Sequence, residues 1–151
     1  MTTLPAKLRA GVDLIDREHE RLLELESRLT QFCPDPGTPC NICEAPTQLQ
    51  CAQVLDHLFT ELLEFMAEHF EHEEGLMIGL PAEITRAHKF EHAEISRRFS
   101  SLVKANRQRA MLVTPAELDS IVTHWLGQHI EHWDIPLARQ ITTGSGNAWR
   151  A

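Results

Sequence analysis

Residues 69–92, HFEHEEGLMIGLPAEITRAHKFEH, carry two pairs of metal-ligating side chains on either side of a short helix break. His69 and Glu73 form the first pair, and His88 and His92 form the second, each at i, i+4 spacing. Residues four apart on a helix differ by about 40° around the axis, so both members of a pair can reach one small volume. The stretch therefore predicts two antiparallel helices that direct two pairs of potential metal-binding side chains at one point.

The hydrophobic residues on the N-terminal side of this stretch repeat with a helical period. They predict a first helix that starts near Leu14 and ends by Phe32, where closely spaced prolines follow. A second helix is predicted to start at a capping box from Thr47 to Gln50 and to end near residues 75–79.

The C-terminal half predicts two further helices. The third begins near Pro81, placed as the first helical residue, and runs to about Asn106. The fourth has the clearest start, because residues 114–117 (TPAE) combine an N-cap, an N1 proline and an N3 acid. Short connections between four helices predict an all-α, antiparallel up-and-down four-helix bundle with a Cys-rich insert between helices 1 and 2.

Length and charge exclude several classes of protein. With 151 residues the chain is expected to form one domain over residues 1–141, followed by a flexible tail or linker start at 142–151. A net charge of −8 argues against non-specific nucleic-acid binding. Neither a bilayer-spanning apolar run nor an N-terminal apolar signal region is visible, so we expect a cytoplasmic protein without membrane insertion.

Seven side chains on the four predicted helices can converge: His19, His69, Glu73, His88, His92, His129 and Asp134. Burying five imidazoles and two carboxylates without an ion would be costly, because each group needs a partner. Imidazole with carboxylate suits iron, manganese or zinc, and seven ligands are too many for one tetrahedral zinc. The set fits two metals that share two bridging carboxylates. Ferritin-like di-iron proteins need Glu-x-x-His motifs, which this sequence lacks.

The spacing of His129 and Asp134 does not suit a regular α-helix. Five residues rotate about 140° around the axis, which separates the two side chains. A local π-type distortion would bring them together, and such distortions are frequent at functional sites. Pro136 lacks a backbone donor and leaves the carbonyl near His132 free, which favours this distortion.

Four segments carry a resemblance that covers nearly all of residues 11–140. They are IDREH (residues 15–19), HFEHEEGLM (69–77), HKFEH (88–92) and WLGQHIEHWD (125–134). In these segments the chain resembles bacterial hemerythrin-like proteins. The resemblance implies two irons bridged by Glu73, Asp134 and a solvent-derived oxo or hydroxo group. It implies that His88, His92 and His129 hold one iron and that His19 and His69 hold the other.

Five histidines cannot be shared equally, so with three bridges one iron is six-coordinate and the other five-coordinate. The open position falls on the iron assigned to His19 and His69. The resemblance implies that O₂ binds there end-on, in an apolar pocket that slows oxidation of the irons. Candidate lining residues are Phe70, Trp125, Leu126 and Ile130, for which an ordinary core role is the alternative.

The remaining histidines are expected at the surface or outside the metal ligands: His57, His72, His124 and His132. His72 lies within a turn of His69 and Glu73, whereas Glu74 is expected off the ligand face. Glu18 and His72 are the candidates for a proton donor near the open position.

Residues 33–51 hold all four cysteines, Cys33, Cys40, Cys43 and Cys51, and depart from the hemerythrin-like pattern. They could bind zinc or iron, form a redox-active or structural disulfide, or remain free thiols. Cys33 lies fourteen residues beyond His19, about 21 Å along a helix, so the cysteines cannot ligate the iron pair.

The leading interpretation is a non-enzymatic protein that binds O₂ or another small diatomic for storage, transport or sensing. A di-iron enzyme that acts on peroxide or nitric oxide is the first alternative. The second is a redox-regulated signalling module that uses the cysteine loop, with a partner domain if the chain belongs to a longer protein.

Overall fold

A computed structural model describes residues 3–31, 33, 35–39, 42–108 and 113–143 of the chain. Most of the described residues are helical and form a 3₁₀-helix, four main helices, a π-helix and a final short helix. In chain order these are Ala6–Leu8, α1 (Asp13–Gln31), α2 (Ala45–Leu76), α3 (Ala82–Arg107), α4 (Pro115–His129), the π-helix Ile130–Asp134, and α5 (Ile135–Thr142).

Contacts between helix ends show that α2 and α3 run antiparallel. The Asn106 side chain at the end of α3 donates to the carbonyl of Ala52 near the start of α2, at 2.9 Å. Phe70 near the end of α2 stacks on His92 near the start of α3, with ring centroids 4.0 Å apart. The predicted four-helix bundle is confirmed.

A continuous hydrophobic core fills the middle of the bundle. Its largest fully buried side chains include two phenylalanines, Phe59 and Phe99, with aliphatic residues from all four main helices. Burial of each such side chain contributes about 1.5–3 kcal/mol relative to exposure. This core fixes the rotation of each helix about its axis. It therefore also determines which polar side chains face inward beyond the end of the core.

Sequence signals predict the starts of three helices, of which two are confirmed and one is shifted along the chain. The Thr114 hydroxyl accepts a hydrogen bond from the backbone N–H of Glu117 at 3.1 Å, which confirms the predicted start of α4. Helix α2 starts at Ala45, so the Thr47 capping box is wrong. Pro46 suits the first turn because it needs no amide hydrogen bond there. The predicted start of α3 near Pro81 is confirmed, but Pro81 is the N-cap and Ala82 is the first helical residue.

The turn between α2 and α3 is tight and partly buried. Gly79 has a φ of 91°, in the left-handed region where a side chain would be strained. Met77 and Leu80 of this turn pack against Leu137 and Ile141 of α5. The predicted break near residues 75–79 is therefore confirmed, and α5 covers this end of the bundle.

An N-terminal segment that the sequence patterns did not reveal packs beside the π-helix. Leu4 and Leu8 are buried against Ile130 and Ile135. The Asp16 carboxylate accepts from the backbone N–H of Ala10 at 2.6 Å, which fixes the turn into α1.

Within the described part of the chain, no helix is long and apolar enough to cross a membrane. The cytoplasmic location expected from the sequence stays a prediction. From residue 144 onward, the predicted tail lies outside the described residues.

Candidate metal centre

All seven predicted ligands lie at one end of the bundle, beyond the hydrophobic core, and each is at most 3% exposed. Helix α1 contributes one of them, α2 and α3 contribute a pair each, and the α4–π-helix segment contributes the last two. In that order they are His19; His69 and Glu73; His88 and His92; His129 and Asp134.

The candidate ligand atoms form two groups, in each of which all the atoms lie within 4.8 Å of one another. The larger group has five members: Glu73, His88, His92, His129 and Asp134. The smaller group has three: His19, His69 and Asp134. Asp134 therefore belongs to both groups, and the five histidines divide three to two.

The two oxygens of Asp134 face different histidines. Oδ2 lies 2.8 Å from His19 Nε2 and 3.4 Å from His69 Nε2. Oδ1 lies 3.1 Å from His88 Nε2 and 2.9 Å from His129 Nε2. A carboxylate placed in this way can bridge two metal ions, one on each side.

Glu73 also reaches histidines of both groups. Its Oε1 lies 2.9 Å from His69 Nε2 and 3.5 Å from His92 Nε2, and its Oε2 lies 3.9 Å from His88 Nε2. Despite their short distances, these contacts and that of His129 Nε2 with Asp134 lack hydrogen-bond geometry, so both Glu73 oxygens and Nε2 of His92 and of His129 are buried without a hydrogen-bond partner. Burying these oxygen and nitrogen atoms without hydrogen-bond partners is costly unless a cation binds them, so the residues fit a metal centre.

The electrostatics of the cluster show how strongly these groups interact. Burial alone would lower the pKa of His69, but Asp134, Glu18 and Glu73 raise it to about 12. Burial and Asp134 each raise the pKa of Glu73, but the neighbouring histidines outweigh them and lower it to about 2. Metal binding would replace one of the protons that His69 otherwise holds.

Two carboxylates outside the predicted ligands contact them directly, and His72 contacts one of these carboxylates. Glu18 Oε1 lies 3.1 Å from His69 Nδ1, and its Oε2 lies 2.7 Å from His72 Nδ1. Glu74 Oε1 lies 3.0 Å from His92 Nδ1. Burial raises the pKa of Glu18, but its hydrogen bonds with the two histidines lower it below the ordinary value. These contacts agree with the expectation that His72 and Glu74 lie outside the ligands, but the sequence did not reveal their partners.

The continuous helix after Gln128 changes geometry between the last two predicted ligands. Residues Ile130–Asp134 form the predicted π-helix, and Pro136 lies in the first turn of α5. The wider turn brings the carboxylate of Asp134 within 2.9 Å of His129 Nε2. The π-type distortion is therefore confirmed.

The four predicted pocket residues occupy different surroundings. The ring of Phe70 stacks on His92 and lies 5.2 Å from His129, centroid to centroid, so it borders the centre. Trp125 instead packs edge-on against Phe99, at 5.6 Å. Leu126 belongs to the main core and Ile130 to the cluster with the N-terminal segment.

The three described cysteines, Cys33, Cys43 and Cys51, lie at the opposite end of the bundle. Cys33 follows α1, Cys43 precedes α2, and Cys51 lies within α2 rather than in a loop. All three are free thiols, and burial, Cys33 and Cys43 raise the pKa of Cys51. Among the described residues, neither group of candidate metal ligands includes a cysteine, and Cys40 falls outside that range. A second metal or redox site here stays a prediction.

The other three histidines, His57, His124 and His132, are exposed, in agreement with their expected surface placement.

The fold and the site together define a metal-binding four-helix bundle protein. Residues 10–139 match the hemerythrin HHE cation binding domain, and the chain belongs to this family. It is 27% identical over 127 residues to a bacteriohemerythrin of Pseudomonas paraeruginosa (strain DSM 24068 / PA7), covering 84% of this chain and 72% of that one.

Two further relatives carry the same name. A bacteriohemerythrin of Pseudomonas aeruginosa (strain LESB58) is 28% identical over 127 residues, covering 84% of this chain and 72% of that protein. One of Stenotrophomonas maltophilia (strain R551-3) is 28% identical over 134 residues, covering 89% of this chain and 77% of that one. No solved structure matches the chain significantly.

Proposed function

We propose that the chain holds two iron ions and binds O₂ reversibly at one of them, for storage, delivery or sensing. His88, His92 and His129 would hold one ion, and His19 and His69 the other. The observation that carries the proposal is Asp134, whose two oxygens face these two sets of histidines separately. Glu73 would be the second bridge.

The unequal division of histidines supports an open position on the side of His19 and His69. Iron supplies the reversible binding of O₂ when it is present. The protein would bind and orient the metal through ligands that are at most 3% exposed, and it would limit access of water. Phe70, which is 6% exposed and contacts histidines of both sets, forms an apolar wall of the centre.

Reversible oxygenation of the iron-loaded protein tests this proposal. The protein is loaded with Fe²⁺ without air, exposed to O₂, and then purged with an inert gas. We expect uptake of one O₂ for each pair of irons, its release on purging, and a second equal uptake. Irreversible oxidation in the first exposure, with no O₂ released, would contradict O₂ carriage and favour redox sensing or catalysis.

A further inference from the structure

Glu18 forms a buried link between a predicted ligand and the surface. The residue precedes His19 on α1 and is 7% exposed. One carboxylate oxygen lies 3.1 Å from Nδ1 of His69, and the other lies 2.7 Å from Nδ1 of His72. The side chain of His72 is 39% exposed, so it reaches solvent while it holds Glu18 in place.

This contact determines which nitrogen of His69 can bind a metal. A carboxylate only accepts hydrogen bonds, so the proton of the neutral imidazole lies on Nδ1, facing Glu18. A metal that replaces the proton on Nε2 would then bind the lone pair of that nitrogen, beside Glu73 and Asp134, whose nearest oxygens lie 2.9 Å and 3.4 Å away. A carboxylate on the far nitrogen also makes an imidazole a stronger metal ligand.

The two sets of histidines differ in such support. On the three-histidine side, His92 Nδ1 faces Glu74, whose side chain is 39% exposed and therefore more strongly screened. On the two-histidine side, Nδ1 of His19 is buried without a hydrogen-bond partner. Glu18 is therefore the buried carboxylate that orients a ligand on the side with fewer histidines.

We propose that Glu18 is a positioning residue that orients His69, is itself held by His72, and sets the metal affinity of the two-histidine position. This inference rests on the proposed function, since it requires two metal positions. It concerns residues that the ligand pattern does not include.

The test is metal titration of the whole chain with Co²⁺ against a competing chelator, followed by visible absorption. Glu18→Gln keeps the size of the side chain but removes its charge. We expect one of the two metal equivalents to bind about 10–100-fold more weakly and the other to be unchanged. The weakened equivalent should be the one whose absorption is missing in His19→Ala. The matched control is Glu74→Gln, which should change affinity at most about fivefold, because the side chain of Glu74 is itself 39% exposed.

The outcomes separate this inference from the proposed function. If the unaltered protein binds two equivalents and Glu18→Gln binds both equally tightly, only the role of Glu18 is wrong. Equal weakening of both equivalents would also overturn it, since that indicates a general structural effect. If Glu18→Gln does not fold, His72→Ala carries the test: it should weaken the same equivalent, and unchanged binding contradicts the proposal. A protein that binds fewer than two equivalents overturns both.

Discussion

At the scale of single residues, His19 tests the division of ligands most simply. Its side chain is 0% exposed, and its Nε2 faces one oxygen of Asp134. His19→Ala should leave the two-histidine position with one imidazole, so iron content should fall from about two to about one per chain. Elemental analysis after loading with iron checks this.

The control for His19→Ala is His124→Ala, because His124 is exposed on α4. It should retain the iron content of the unaltered protein. Two irons in His19→Ala would show that His19 is not a ligand.

Glu26 predicts a pH dependence of stability that is separate from the metal centre. The residue is 6% exposed, and burial together with Asp119 raises its pKa to about 8, although a hydrogen bond from Thr123 opposes this. The folded state therefore retains a proton that the unfolded state loses above its ordinary pKa of 4.5. The stabilisation is complete below pH 4.5 and is lost as the pH rises to about 8.

Glu26→Gln should remove this loss, because the amide stays neutral. At pH 9 we expect it to unfold with a free energy at least about 1 kcal/mol higher than that of the unaltered protein. Urea denaturation at pH 6 and pH 9 measures this. A parallel decline in both proteins would contradict the assignment to Glu26.

Contacts of single residues also show which features of the site the sequence could not predict. The two i, i+4 pairs identify four of the seven residues that converge, and the other three, His19, His129 and Asp134, lie on the remaining two predicted helices. Glu18 contacts His69 across a separation of 51 residues, and Glu74 contacts His92 across 18. Such partners depend on the relative height and rotation of neighbouring helices, which the sequence patterns do not specify.

At the scale of elements, the start of α4 gives a stability prediction. Thr114→Ala removes the side-chain acceptor for the backbone N–H of Glu117 and should cost about 1 kcal/mol. Thr114→Ser keeps the acceptor and should cost less. Thermal unfolding of both variants measures the difference, and equal stability of Thr114→Ala and the unaltered protein would show that the cap contributes nothing.

Two elements show why some local signals succeeded and others failed. The π-helix was predicted because five-residue spacing had to bring His129 and Asp134 together, a chemical constraint independent of helix propensity. The predicted start of α2 was wrong because the Thr47 capping box competes with Pro46, which also suits a first helical turn. The 3₁₀-helix Ala6–Leu8 is too short to show a period, and it contributes Leu8 to the packing beside the π-helix.

At the scale of the whole molecule, the hydrophobic core and the polar centre occupy different levels of one bundle. The period of the apolar residues predicts four helices, and the short connections predict their antiparallel order. Because the same helices supply both levels, packing of the core also determines where the ligands lie. Among the described residues, the buried side-chain atoms that lack hydrogen-bond partners lie at the polar level, where a cation would satisfy them.

The central claim is that Asp134 separates two metal positions. Anomalous X-ray diffraction from crystals of the iron-loaded protein, measured at the iron absorption edge, locates the ions directly. We predict two anomalous peaks, one beside His19 and His69 and one among His88, His92 and His129, with Asp134 between them. A single peak bound by histidines of only one set would contradict this account.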